Sequence, residues 1–273
     1  MSDDKITKGG LTAHLEQDED ATSPRENDNL FTMVCWHRNY NLGDCGDDRS
    51  RIGNRKDANP SKLEAAEFMQ SLAEEYHPNL EDYLDNKLFT KMVTVDYAAD
   101  AAKHNEQEKA FYAKRREIIE GIVEKHYLIA PLYLYDHSGL RIKIGSFQGL
   151  LPQGHAEFDS GQVGWIFASH KEIKENWSKK KLTKELIAQA QKLMESEVEE
   201  YDRYLSGDCW GYVIETEDGE TVDSCWGFIG SEYAEEEMKS ALDAQVRYRD
   251  ADAKAETERF AREEDAARNY MAL

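Results

Sequence analysis

The sequence predicts an α+β protein: a small, mainly antiparallel sheet packed with helices, with a flexible N-terminal arm and a helical C-terminus. Three observations predict it. Residues 127–166 are the most apolar and aromatic part of a polar chain, and their strand-like runs are broken by Asp136-His137-Ser138-Gly139 and Asp159-Ser160-Gly161 turns. Residues 207–230 have the same character, so the two stretches read as one sheet. Between and around them, apolar residues recur at helical spacing. The chain then divides into a flexible acidic segment (1–29), an arm with helices (30–126), a central α/β body (127–230) and a C-terminal helix (231–273).

Taken in order, residues 1–29 hold Gly9-Gly10, an acidic run and few large apolar side chains, which suits a flexible tail or a segment that orders on a partner. Leu30 to His37 reads as a strand, and the Asn-, Gly- and Asp-rich residues 39–59 as a loop. Asn59-Pro60-Ser61 starts a helix, with Asn59 as cap and Pro60 at the first helical position. Leu63, Ala66, Phe68, Met69, Leu72 and Tyr76 carry its apolar stripe, and Pro78 ends it. A short helix over 80–88, a strand over 91–97 and a longer helix over 104–126 follow.

In the central body, Ile129–Tyr135 and Leu140–Phe147 form a hairpin, and Val163–Ser169 is a third strand. Lys171–Lys184 is basic and reads as a solvated helix-loop-helix. Leu186, Ala190, Leu193, Met194, Val198, Tyr201 and Leu205 mark a strongly amphipathic helix, which Gly207 can close. Asp218-Gly219 fits a two-residue hairpin turn. That register places Trp210, Tyr212, Ile214 and Cys225 on one face, and Cys209, Val213, Val222, Trp226 and Phe228 on the other. Ser231 caps the last helix, whose stripe of Met238, Leu242 and Val246 fades beyond Val246, leaving Phe260 nearly alone.

Charge is the strongest global signal. The net charge is -21 over 273 residues. Between Glu195 and Glu237, fifteen Asp or Glu face one base, Arg203. Acid so concentrated repels nucleic acid and can steer association with a basic surface. Charge and exposure single out Glu197, Glu200, Glu215, Glu217, Asp218, Glu220, Glu235 and Glu236 as partner-binding residues. On charge alone, a solvated face that keeps the chain soluble is the simpler account.

Chemistry is less visible. No run approaches the ~18 apolar residues of a membrane span, and the N-terminus lacks the apolar centre of a signal peptide. A cytosolic chain follows, without a membrane partner. The four cysteines form no Cys-x-x-Cys pair, and spacing favours buried thiols over a zinc site of Cys35, His37 and Cys45. Neither a metal nor a cofactor is expected. There is no phosphate-binding glycine loop, His-Glu-x-x-His or Gly-x-Ser-x-Gly. Asp136, His137 and Ser138 imitate a triad only in sequence, because neighbours in a tight turn rarely align as nucleophile, base and orienter.

LYLYDHSG (132–139), DSGQVGWI (159–166), EEYDRYLSGDCWGY (199–212) and DSCWGF (223–228) resemble a family of proteins carried by phages and mobile elements. The overall plan also resembles the phage anti-defence proteins that inhibit the Gabija system. That resemblance implies a non-enzymatic inhibitor acting in the host cytoplasm. Several copies would assemble around the Gabija nuclease–helicase complex, encase it and block its access to DNA, with no direct contact to nucleic acid. The resemblance implies that the N-terminal segment is an arm on the defence complex and that the acidic and helical C-terminal parts contact neighbouring copies, a homo-oligomer. Two other readings stand beside it: an acidic DNA mimic aimed at another nuclease, such as a restriction or CRISPR effector, and a hydrolase using Asp136, His137 or His155.

Overall fold

In the computed structural model, residues 5–37, 39–44, 62–150 and 158–271 are described. The architecture is α+β, with mainly antiparallel sheets packed against helices. There are two four-stranded sheets, not the single sheet expected from the two apolar stretches. They belong to two compact units: residues 1–24 with 203–273, and residues 25–202.

The first unit is built from the two ends of the chain. Strands β1 (Ile6–Lys8) and β2 (Leu11–Gln17) form a hairpin, and β2 pairs antiparallel with β7 (Cys209–Thr216), which pairs with β8 (Thr221–Ile229). The sheet order is β1-β2-β7-β8. Over residues 6–17 the expected flexible tail is therefore a paired part of a sheet. Its Leu11 and Ala13 are fully buried against Tyr212, Ile214, Met238 and Leu242. Each large side chain removed from water in this way contributes about 1.5–3 kcal/mol.

Helix α7 (Ser231–Met271) supplies Met238 and Leu242 to that core. Lys8 Nζ donates to Asp243 at 2.6 Å and Gln245 Nε2 to Asp223 at 3.1 Å, which fixes the helix against both sheet edges. The start of α7 is capped from outside the helix. The Ser231 N–H donates to the Asp208 carboxylate at 3.1 Å, where the sequence suggested that Ser231 itself would be the cap. That carboxylate also accepts from the Trp210 indole at 2.7 Å, so it ties the start of β7 to the start of α7.

The second unit holds a sheet of order β3-β6-β4-β5, made by β3 (Thr32–Cys35), β4 (Tyr127–Asp136), β5 (Leu140–Ile144) and β6 (Ser160–Ser169). The hairpin and the third strand expected over 129–169 are both present. One face carries Tyr127, Ile129, Trp165 and Phe167. It packs with Phe68, Met69 and Leu72 of α1 (Lys62–Glu74) and with Phe111, Ile119 and Val123 of α4 (Ala101–His126). Leu80 of α2 (Leu80–Asp82) and Leu84 and Leu88 of a π-helical turn (Tyr83–Leu88) join this core, and the partly buried Phe89 and Met92 of α3 (Phe89–Met92) pack against it. Where a strand was expected over 91–97, α3 ends at Met92 and irregular chain with a turn at residues 97–99 follows. The alternating Met92-Val93-Thr94-Val95 suits a strand locally, but Gln107 of α4 takes the Thr94 and Val95 N–H groups that a sheet would need. The helix cap at Asn59-Pro60 lies outside the described residues, as do Cys45 and His155.

Helix α5 (His170–Asn176) opens on a full capping box, with Ser169 and Glu172 exchanging backbone hydrogen bonds. Helix α6 (Lys184–Leu205) then buries Leu186, Ala190, Met194, Val198 and Tyr201, the stripe read from the sequence, together with Glu197. Asp202 of α6 accepts from the Ile142 N–H at 2.7 Å and from two nitrogens of Arg141, which fastens α6 to β5.

Candidate interaction surfaces

The acidic hairpin is the most defined surface feature of the first unit. Its turn differs from the two-residue form expected. Gly219 N donates to Thr216 O at 3.0 Å and Thr216 N to Glu220 O at 2.9 Å, so three residues (217–219) span the turn. Gly219 at φ 82° takes the left-handed position that such a loop requires. Glu217, Asp218 and Glu220 are exposed on this tip, and Glu215 is half-buried beside it. Three carboxylates in four residues, held by a backbone-bonded turn, present a fixed block of negative charge.

The added turn residue shifts the ladder by one at the tip, and irregularities at both ends of β8 absorb the shift. In the middle, Tyr212 opposes Cys225 and Val213 opposes Ser224, the register expected from the sequence. Beyond it, Gly227 at φ 89° is the extra residue of a bulge. The bulge turns Phe228 to the face of Tyr212, where the two rings stack with centroids 5.8 Å apart. This corrects the sequence assignment of Phe228 to the face of Val213 and Trp226. Trp226 does lie on that second face. A Cβ built on Gly211 would come within 2.3 Å of its indole.

The remaining expected partner residues are spread over both units. Glu235 and Glu236 are exposed in the first turns of α7, where Glu235 pairs with Lys239 at 2.6 Å. Glu200 is exposed on α6 in the second unit. Glu197 stands apart from all of these, because it is buried. Its carboxylate accepts from Arg25 Nη1 at 3.0 Å and from the backbone N–H of Leu30 at 3.0 Å. Arg25 in turn bonds both oxygens of Asp44 and the Phe31 carbonyl. Burial pushes the Glu197 carboxyl above the usual carboxylate range, and Arg25 with the backbone donors pulls only part of the way back. A carboxylate so enclosed belongs to the core of the second unit. Counting acids along α6 could not separate it from Glu195 and Glu199, because its cation is 172 residues away.

The His137 region forms a second cluster, at one end of the second unit's sheet. His137 Nδ1 lies 3.4 Å from Asp159 Oδ2, and Tyr40 Oη donates to Asp136 Oδ1 at 3.4 Å. Asp136 N donates to Asp159 O at 2.9 Å. The two Asp-containing turns singled out in the sequence are thus neighbours in space. Ser138 holds the turn at φ 54°. Among the described residues no group of three or more His, Cys, Asp or Glu is placed to hold a metal ion.

Sequence reasoning missed one surface, the outer edge of β8, where Val222 is 38% exposed and Trp226 47%. The signal available was the apolar-aromatic run of β8 at the end of a hairpin, but which strand closes a sheet is not written in the run itself. The fading stripe beyond Val246 pointed to a tail exposed to solvent or to a protein partner, and in the distal part of α7 every residue from Arg247 to Glu264 is exposed, including Tyr248 and Phe260. Among the described residues no helix is long and apolar enough to cross a membrane. No family model, no curated protein and no solved structure matches this chain.

Proposed function

We propose that this protein is a phage anti-defence inhibitor of the Gabija nuclease–helicase complex. In this reading it acts in the host cytoplasm, without catalysis, by binding and encasing its target and so blocking DNA binding and cleavage. The observation that carries an action by contact is the distal α7. A helix this polar on every side gains nothing from an apolar face of its own, and helices derive most of their stability from packing such a face. Here two aromatic side chains, Tyr248 and Phe260, are exposed to water along about five turns of helix. A surface of this kind suits a protein partner. The resemblance of the overall plan to the Gabija inhibitors supplies the identity of that partner.

The test is co-purification of the full chain with a tagged Gabija complex, followed by a DNA-cleavage assay on the eluate. A stable high-mass complex that no longer cleaves supports the proposal. Failure to co-elute, with cleavage unchanged, removes it.

The acidic hairpin favours a second reading, a DNA mimic directed at another host nuclease. Neutralising Glu215, Glu217, Asp218 and Glu220 together separates the two. A mimic loses target binding, and its affinity falls steeply with salt. An encasing inhibitor keeps most of its binding.

A further inference from the structure

The two sheets have four edge strands: β1 with three residues, β3 with four, β5 with five and β8 with nine. Short edge strands are one of the ways proteins avoid edge-to-edge pairing. β8 lacks this protection. It runs the full length of the hairpin, six of its nine residues are exposed, and the three others are half-buried. It carries no Pro and no Lys, and its only charged side chain, Asp223, is engaged by Gln245 of α7. Among the described residues no other strand pairs with its outer edge, and Asp18 takes one of its backbone donors, the Gly227 N–H, at 3.0 Å.

We propose that β8 pairs antiparallel with β8 of a second copy of this chain, about a two-fold axis at Ser224, to give one continuous eight-stranded sheet. Antiparallel addition satisfies the unpaired N–H and C=O groups of both edges. A two-fold interface must be self-complementary, and the sequence around Ser224 is. With Ser224 opposite its own copy, each Val222 lies across from the Trp226 of the other chain. The two large apolar side chains that each β8 leaves exposed are then covered twice over.

Charge fits the same orientation. Asp218 lies in the turn beyond the start of β8, so antiparallel pairing carries the two acidic tips to opposite ends, about 30 Å apart at ~3.4 Å per strand residue. That is several Debye lengths at physiological salt, where screening is ~8 Å. Parallel pairing would set the two blocks of carboxylates side by side. The bulges at Val222 and Gly227 flank the regular stretch Asp223–Cys225, which is the centre of the proposed pairing. This surface extends the inhibitor reading by naming where copies meet. It does not depend on the identity of the target, because it is measured on the purified chain alone.

The experiment has two arms. First, the mass of the full chain is followed by sedimentation from about 1 to 100 µM, beside Val222→Lys, which puts a charge on the edge. A wild-type dimer whose Kd rises at least tenfold in the variant is expected. Second, Ser224→Cys is oxidised mildly in a Cys225→Ser background, with that background alone as control. Residues facing across the axis have Cβ atoms about 5 Å apart, within reach of a disulfide once the strands adjust. A covalent dimer formed only with the new cysteine is expected. If Val222→Lys fails to fold, the disulfide arm decides on a wild-type edge. A chain that stays monomeric throughout overturns the proposal, as does a dimer that Ser224→Cys does not trap. A wild-type chain that inhibits Gabija but forms no dimer would remove this interface and leave the functional reading standing. A wild-type dimer trapped by Ser224→Cys in a chain that does not inhibit Gabija would do the reverse.

Discussion

Replacing Arg25 with Met removes the cation that Glu197 and Asp44 share. Met keeps much of the length and packing of the arginine stem, so the change is chiefly electrostatic. Glu197 would remain buried, with only the Leu30 and Phe31 N–H groups as donors at 3.0 and 3.4 Å. Breaking one side of a buried ion pair costs about 3–5 kcal/mol, because the other charge is left without compensation. Set against a total domain stability of about 5–15 kcal/mol, this is a large fraction. With a urea slope of about 2 kcal/mol per molar, the midpoint for the second unit falls by about 2 M. The readout is urea unfolding followed through Trp36 and Trp165, both packed in that unit's core.

The pH dependence gives a second check with a definite sign. Burial raises the Glu197 carboxyl above its unfolded value. A raised value means that its contribution is greatest at acid pH and falls as pH rises through the folded value. Met at position 25 removes the pull that opposes this rise. The deficit of Arg25→Met is therefore larger at pH 7 than at pH 5. Adding Glu197→Gln removes the stranded charge but keeps a carbonyl to accept from Leu30 and Phe31, so the double variant loses less than the sum of the singles. A midpoint shift below about 0.5 M, or equal deficits at pH 5 and pH 7, would refute this account of the cluster.

Three further outcomes follow from burial and exposure. Leu242→Ala, in the packed part of α7, should cost about 2–5 kcal/mol in thermal unfolding. Phe260→Ala on the same helix should stay within about 0.5 kcal/mol for the isolated chain, yet weaken capture of the target if distal α7 is a contact surface. Tyr127 donates its phenol to Glu75 at 2.6 Å, and burial with that neighbouring carboxylate pushes its ionisation well above the ordinary tyrosine range. In an alkaline absorbance titration it should stay silent until the chain unfolds, so Tyr127→Phe should leave the folded-state amplitude unchanged.

What could be read from the sequence was local. The stripe of α6 and the hairpin read over 129–147 each depend on residues within a few positions of one another, where periodicity and turn chemistry act directly. The middle register of β7 and β8 was legible for the same reason, because a nearby turn sets it. The acidic tip was visible as composition, and it stands exposed as composition suggests.

What the tertiary structure alone decided was long-range. Leu11, Ala13 and Leu15 alternate as a strand should, but the acidic residues around them read as a tail. Their partner β7 lies about two hundred residues further on, and only that pairing gives the alternation a face to bury. The separation into two sheets has the same origin, since β2 claims β7 and leaves β3 and β6 to each other. Gly227 moved Phe228 to the other face through a single positive φ, which no count of alternating residues anticipates. Glu197 carries the same charge as its neighbours on α6, but Arg25 folds in from far along the chain to neutralise it. Sequence fixes what each segment can bury, and the long-range contacts choose which carboxylates and which strand edges remain in water.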